Sequence, residues 1–130
     1  MIFNKEPIQV LWDMVKDLKK GKAPIPIYKE IMHEEKNNVP ASYILLRSQI
    51  TDTNDIFGDG KGQIRAADCD IVLVTKGYGD DSKDLHNVNK KRIRDHLNDQ
   101  EITFTEVNVG YNESIQSTEH NFVVEILYIG

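Results

Sequence analysis

A polar run from Thr51 to Gly62 divides the middle of the sequence and leaves an apolar stretch on each side, at 43–50 and 64–76. The run contains three glycines and four acidic or amide side chains. Glycine and short polar residues favour loops, so the pattern predicts two strands joined by a long loop at 51–63. Loops of this length in a small domain are usually functional or mobile. The loop is therefore the first place to search for a functional site.

The N-terminal part of the chain predicts an amphipathic helix over about residues 5–20. Asn4 is expected to cap it, Glu6 and Pro7 suit its first turn, and Gly21 is expected to end it. Its predicted apolar face consists of Ile8, Leu11, Trp12, Val15 and Leu18.

A second amphipathic helix is predicted over about 82–98. Aspartates lie at its start and basic residues in its second half, which complements the helix dipole. Its predicted apolar face consists of Leu85, Val88, Ile93 and Leu97.

Strands are predicted at 43–50, 64–76, 102–109 and 121–129, and a second loop at 110–120. The segment 25–31 is expected to be an edge strand at best, because Pro24 and Pro26 pair poorly. Only the strand–helix–strand unit over 64–109 is expected to provide a parallel pair. The predicted fold is a single α+β domain over 1–130. It has a mostly antiparallel four-stranded sheet, two main helices packed on one face, and a long hairpin loop.

Composition narrows the classes of function. The formal net charge of −5 argues against a broad electrostatic grip on nucleic acid or an anionic membrane. The single cysteine, Cys69, suits a reducing compartment. No signal-peptide pattern and no apolar run of about 18 residues occurs, so a soluble protein made in the cytoplasm, with no membrane partner, is expected.

The 51–63 loop does not match known ion or phosphate motifs. With Asp55 as the first ligand of a calcium loop, Phe57 falls at the third position and Ala66 at the twelfth, where oxygen ligands are required. The segment 58–62 has glycines and a lysine, but it lacks the spacing of a phosphate-binding loop.

Catalytic and metal-binding patterns are also absent from the sequence. The four histidines have no metal-ligand spacing, and Cys69 lies on the apolar phase of a strand beside Asp68 and Asp70. A hairpin loop explains the polar cluster at 114–120 better than a catalytic triad does. The sequence therefore predicts no catalytic, cofactor or metal site, and no enzyme activity.

One basic group is a possible interaction face. Lys90, Lys91 and Arg94 cluster in the second helix with Arg92, without aromatic residues that could stack on bases. A solvated face of an amphipathic helix explains this group better than nucleic-acid binding does.

The order of these elements resembles the tail-terminator and tail-completion proteins of long-tailed bacteriophages, which join the tail tube to the head. The resemblance lies in the apolar spacing of segments 40–46, 67–75, 85–97 and 121–128, together with Phe104. It implies a virion protein of the tail and neck, made in the bacterial host. It also implies a ring, usually of six subunits, that caps the tail tube and has no active site.

The implied partners are copies of this chain, the major tail tube protein and head-completion or connector proteins. DNA would pass through the channel without specific binding. The loop residues expected at a subunit interface or in the lumen are Asp52, Asp55, Phe57, Asp59 and Lys61. If the aspartates line the lumen, their charge would repel DNA phosphates.

Two alternatives stay open from the sequence. The first is a head-closure or minor head-connector protein. The second is a cytoplasmic nucleic-acid-binding regulatory module that would act through the 90–94 face.

Overall fold

The computed structural model describes residues 2–32, 34, 38–57 and 64–129, with only the backbone for 49–57. The helices are α1, Pro7–Val15, which continues as a 3-10 helix over Lys16–Lys19, and α2, Asp80–Asp99. The strands are β1 (Ile2–Phe3), β2 (Ile27–Lys29), β3 (Ser42–Phe57), β4 (Ile64–Lys76), β5 (Thr105–Asn112) and β6 (Ser117–Ile129).

The described strands form one mixed, curled sheet of six strands, so the predicted four-stranded, mostly antiparallel sheet is wrong. The strand order is β1–β6–β4–β3–β2, and β5 also pairs with β6. The parallel pairs are β1 with β6 and β2 with β3. Strands β1 and β2 have two and three residues, which are too few to leave an alternating apolar pattern.

The predicted parallel pair within 64–109 is also wrong. Strand β6 lies between β4 and β5 and runs antiparallel to both, so the two strands flanking α2 are not neighbours. Strand β4 is central and is buried on both faces over 71–75, which explains its nearly continuous apolar sequence.

Both helices pack on one face of the sheet, where the main core lies. Its fully buried side chains include Leu11 from α1, Ile93 and Leu97 from α2, Ile71 from β4 and Phe122 from β6. Burial of such side chains contributes about 1.5–3 kcal/mol each. Cys69 also lies in this core, as the alternation of β4 predicts.

The opposite face of the sheet carries a smaller apolar cluster of Tyr43, Leu45, Val72 and Val74. Tyr28, Met32 and Val39 pack against it, and the rings of Tyr28 and Tyr43 meet edge to face at 5.7 Å. The segment after β2 therefore covers part of the second face.

Helix α1 begins later than predicted. Glu6 rather than Asn4 occupies the N-cap position, without a side-chain hydrogen bond, and Pro7 is the first helical residue. Proline suits this position because it needs no hydrogen-bond acceptor there. Trp12 is only partly buried, and the ammonium groups of Lys19 and Lys29 lie 5.3 and 4.9 Å from its ring centroid.

The predicted apolar face of α2 is wrong in its first half. Leu85 and Val88 are 38% and 57% exposed, whereas His86 and Asn89 are buried in line with Ile93 and Leu97. This half of the helix lies over the polar side chains Ser42 and Thr75 at one end of β3 and β4. Hydrogen bonding there favours polar residues on the buried face.

Both predicted loops are shorter than expected. Strand β3 continues to Phe57, so the backbone at 51–57 is extended, while 58–63 lie outside the described residues. The second loop shrinks to 113–116, between β5 and β6. None of the described helices has the length and apolar character needed to span a membrane.

Candidate functional site

The outer edge of β5 has no strand partner among the described residues, and three apolar side chains of this strand are exposed. Strand β5 pairs with β6 from Thr105 to Asn112, and no other described strand pairs with it. Val107, Val109 and Tyr111 are 46%, 55% and 40% exposed. Native edge strands are usually short or protected by lysine, proline or a β-bulge. Strand β5 has eight residues and no lysine or proline; its register is irregular between Asn108 and Gly110, which leaves Thr105–Asn108 as its regular part. This edge is therefore suited to pairing with another strand.

Apolar surface extends from β5 to the turn before α2. The exposed ring of Tyr78 meets Tyr111 edge to face at 5.4 Å, and Ile115 is half exposed in the adjacent hairpin loop. These residues and Tyr43 line a groove of about 550 Å³.

The position of Tyr78 depends on the glycine before it. Gly77 has φ +81°, and its N–H donates to the carbonyl of Gln116 at 2.9 Å. A Cβ at this position would lie 2.9 Å from Ser82 Oγ, and the backbone conformation disfavours any side chain. The turn therefore requires glycine.

A second free edge lies at the other end of the sheet. Strand β2 pairs with β3 only at 44–46, so β3 from Arg47 to Phe57 has no described neighbour on its outer side. The predicted site residues Asp52, Asp55 and Phe57 lie on this part of β3, where side chains are not described. The other two, Asp59 and Lys61, lie outside the described residues.

A buried polar chain connects α2 to the two central strands. Arg92 Nη1 donates to Asn89 Oδ1 at 3.3 Å, and Asn89 Nδ2 donates to Ser42 Oγ at 3.0 Å. Ser42 Oγ lies 2.9 Å from Thr75 Oγ1, which lies 2.8 Å from His86 Nδ1. Such chains fix side-chain orientation because each group restricts the next.

His86 is neutral at pH 7. Burial lowers the pKa of its imidazole to about 4, and the nearby Lys90 and His120 act in the same direction. Burial disfavours the charged form of histidine because the ion loses its hydration.

A second polar group holds β5 against α2. Arg94 donates to both carboxylate oxygens of Glu106 at 2.7 and 2.8 Å, and His120 Nε2 lies 2.8 Å from Glu106 Oε1. The Arg94 hydrogen bonds lower the pKa of Glu106 to about 2 against the opposing effect of burial. Burial lowers the pKa of His120 although its bond to Glu106 opposes this, so at pH 7 His120 donates as a neutral ring.

The structure does not bring the predicted basic face together as one free surface. Lys91 Nζ pairs with Asp95 at 2.6 Å, and Arg94 is engaged by Glu106. Lys90 instead lines a cavity between α2 and the β5–β6 hairpin. The three side chains therefore have three different environments.

This α2–hairpin cavity has a volume of about 300 Å³. Its lining from α2 is Lys83, His86, Asn87 and Lys90, and its lining from the hairpin is Asn108, Gly110 and Thr118. The four helical residues follow the i, i+3, i+4, i+7 spacing of one helix face.

Sequence reasoning missed both the polar chain and the cavity. Their members come from β3, β4, α2 and the hairpin and have no common motif. The one available signal was the spacing of His86 and Asn89, which is in phase with Ile93 and Leu97.

The described residues outside these sites show little reactive chemistry. Burial and the flanking Asp70 and Asp68 raise the pKa of Cys69 to about 12. No group of three potential metal ligands occurs among the described residues.

Comparison with known proteins leaves the family of this chain open. No model of a protein family matches the sequence, and no curated protein matches it. The resemblance to phage tail proteins therefore stays a prediction from the sequence.

Proposed function

We propose that this chain is a structural subunit of a long-tailed bacteriophage, which forms a ring, usually of six copies, that caps the tail tube and joins it to the head. The observation that carries the proposal is the free, apolar edge of β5. A ring subunit needs a surface that binds a different surface of its neighbour, because a ring is built from head-to-tail contacts.

The two free edges meet this requirement. Strand β5 lies at one side of the sheet, and the outer edge of β3 at Arg47–Phe57 lies at the other. Pairing β5 of one subunit with β3 of the next would satisfy the free backbone groups of both and bury Val107 and Val109. This arrangement would also bring the backbone of 51–57 to the subunit boundary.

The role in the tail rests on the sequence resemblance. The proposed partners are the major tail tube protein on one side of the ring and head-completion proteins on the other. The formal charge of −5 on each subunit disfavours tight DNA binding, which agrees with a channel through which DNA passes.

The ring is tested with the purified full chain. Light scattering after size exclusion and negative-stain electron microscopy, with and without tail tubes, measure assembly. The Val107→Lys/Val109→Lys double variant should abolish the ring, because each charge would be desolvated between subunits. Val88→Lys is the matched control, because Val88 is 57% exposed and lies on α2 rather than on either edge strand.

A ring that persists in the double variant would contradict the role of β5.

Pull-downs with tail tubes and with portal-side connector proteins distinguish a tail terminator from a head-closure protein. DNA binding that weakens as salt rises would instead favour the regulatory module.

A further inference from the structure

The α2–hairpin cavity is lined by polar groups that have no partner within the described part of the chain. The side chains of Lys83, Asn87 and Lys90 on α2 make no hydrogen bond or ion pair there, and neither do those of Asn108 and Thr118. The neighbouring Lys91 differs, because it is paired with Asp95. No carboxylate lies in the lining, so its two lysines have no acidic partner there.

The buried polar chain determines which ring nitrogen of His86 carries the proton. If the Ser42 hydroxyl donates to Thr75 and the Thr75 hydroxyl donates to His86 Nδ1, both hydroxyl hydrogens have an acceptor. In the opposite direction, Ser42 Oγ would accept from both Asn89 and Thr75, and its own hydrogen would have no acceptor among the described residues. The first direction is therefore favoured.

With Nδ1 as an acceptor, the proton of the neutral ring lies on Nε2. His86 is only 6% exposed, and it lines the cavity. Its Nε2 has no partner within the described part of the chain. The imidazole thus presents a fixed N–H donor beside Lys90.

We propose that the cavity between α2 and the β5–β6 hairpin binds a small phosphate-type oxyanion, either free phosphate or the phosphate group of a small ester. A phosphate monoester carries about 1.5 to 2 negative charges at pH 7 and three strong acceptor oxygens, and free phosphate is likewise multiply charged; both match two lysines and several neutral donors. A carboxylate has one charge and two oxygens and would leave donors unused.

The volume agrees with this class of ligand. About 300 Å³ lies at the lower end of the range for small-molecule sites, which allows an organic group beside the phosphate. Binding does not require the ring, since Lys83, His86 and Lys90 lie on α2, although Asn108 and Gly110 of the lining belong to β5, the proposed contact strand.

The test is a titration of the full chain with inorganic phosphate, glycerol phosphate and acetate at constant ionic strength, followed by amide chemical shifts and by calorimetry. Saturable shifts at Gly110 and Lys90 with both phosphate compounds are expected. Tighter binding of glycerol phosphate identifies an ester as the ligand class, and equal binding identifies free phosphate.

Variants locate the site. Lys90→Gln should weaken phosphate binding at least about tenfold, since hydrogen bonds to charged groups contribute that much. His86→Asn places an amide group near the position of Nδ1 but removes the Nε2 donor, and it should also weaken binding. Lys91→Gln is the matched control and should leave binding unchanged.

Several results would overturn the proposal. These are binding of acetate as tight as that of phosphate, equal losses in Lys90→Gln and Lys91→Gln, or no saturation with either phosphate compound. Circular dichroism of each variant verifies that the fold is retained, which is expected because Lys90 and Lys91 contribute no contact to the core.

Discussion

Acidification should destabilise this protein through His86 before most carboxylates titrate. The ordinary pKa of histidine is 6.5, and burial lowers that of His86 to about 4 in the folded state. Between these values the unfolded chain binds more protons than the folded one, so stability falls as the pH falls. From pH 7 to pH 4.5 the linkage amounts to roughly 2 kcal/mol. His120 adds to this loss, because burial lowers its pKa too.

Urea denaturation of the wild type and of His86→Asn at the two pH values measures the effect. The variant cannot titrate at this position, so its stability should change less over the same interval. With slopes of about 1–3 kcal/mol per M urea, the wild-type midpoint should fall roughly 1–2 M further than that of the variant. The comparison uses the change with pH, which removes any constant cost of the substitution. Equal losses in both proteins would refute the assignment of this pH dependence to His86.

Three further predictions concern the core and the second polar group. Phe122→Ala should lower the free energy of unfolding by about 3–5 kcal/mol in urea denaturation, because the ring is fully buried; a loss below about 1 kcal/mol would contradict its central place. Glu106 has a pKa of about 2 when folded and 4.5 ordinarily, so its contribution is present above pH 4.5 and is lost as the pH falls towards 2. Glu106→Gln should therefore flatten thermal stability over that interval, and an unchanged slope would exclude the Arg94 bond as the cause. Cys69, buried and with a pKa of about 12, should react with a disulfide reagent only at the rate of unfolding, and rapid labelling of the folded protein would disprove its burial.

The sequence predicts best those elements whose burial repeats regularly. The alternation of β6 and the helical spacing of α1 locate these elements, because each buries one regular set of apolar side chains, and β4 is located by its nearly continuous apolar run. The expected edge strand at 25–31 is confirmed as β2, whereas β1 was not predicted because it has two residues and its pairing depends on β6, which is distant in sequence.

The buried face of α2 shows why the polar sites were missed. Apolar Leu85 and Val88 indicate one face of the helix, but hydrogen-bond partners from β3 and β4 favour burial of His86 and Asn89. A pattern based on hydrophobicity cannot detect a buried face that is satisfied by hydrogen bonds. The unpaired edge of β5 was also undetectable, because it depends on which strand lies beside it.

The pairing of β1 with β6 has a consequence for how this protein folds. Ile2 aligns with Leu127, so a contact of two residues on each strand closes a loop of more than a hundred residues. The entropy lost in closing so long a loop is set against very few contacts, and we expect β1 to dock late in folding.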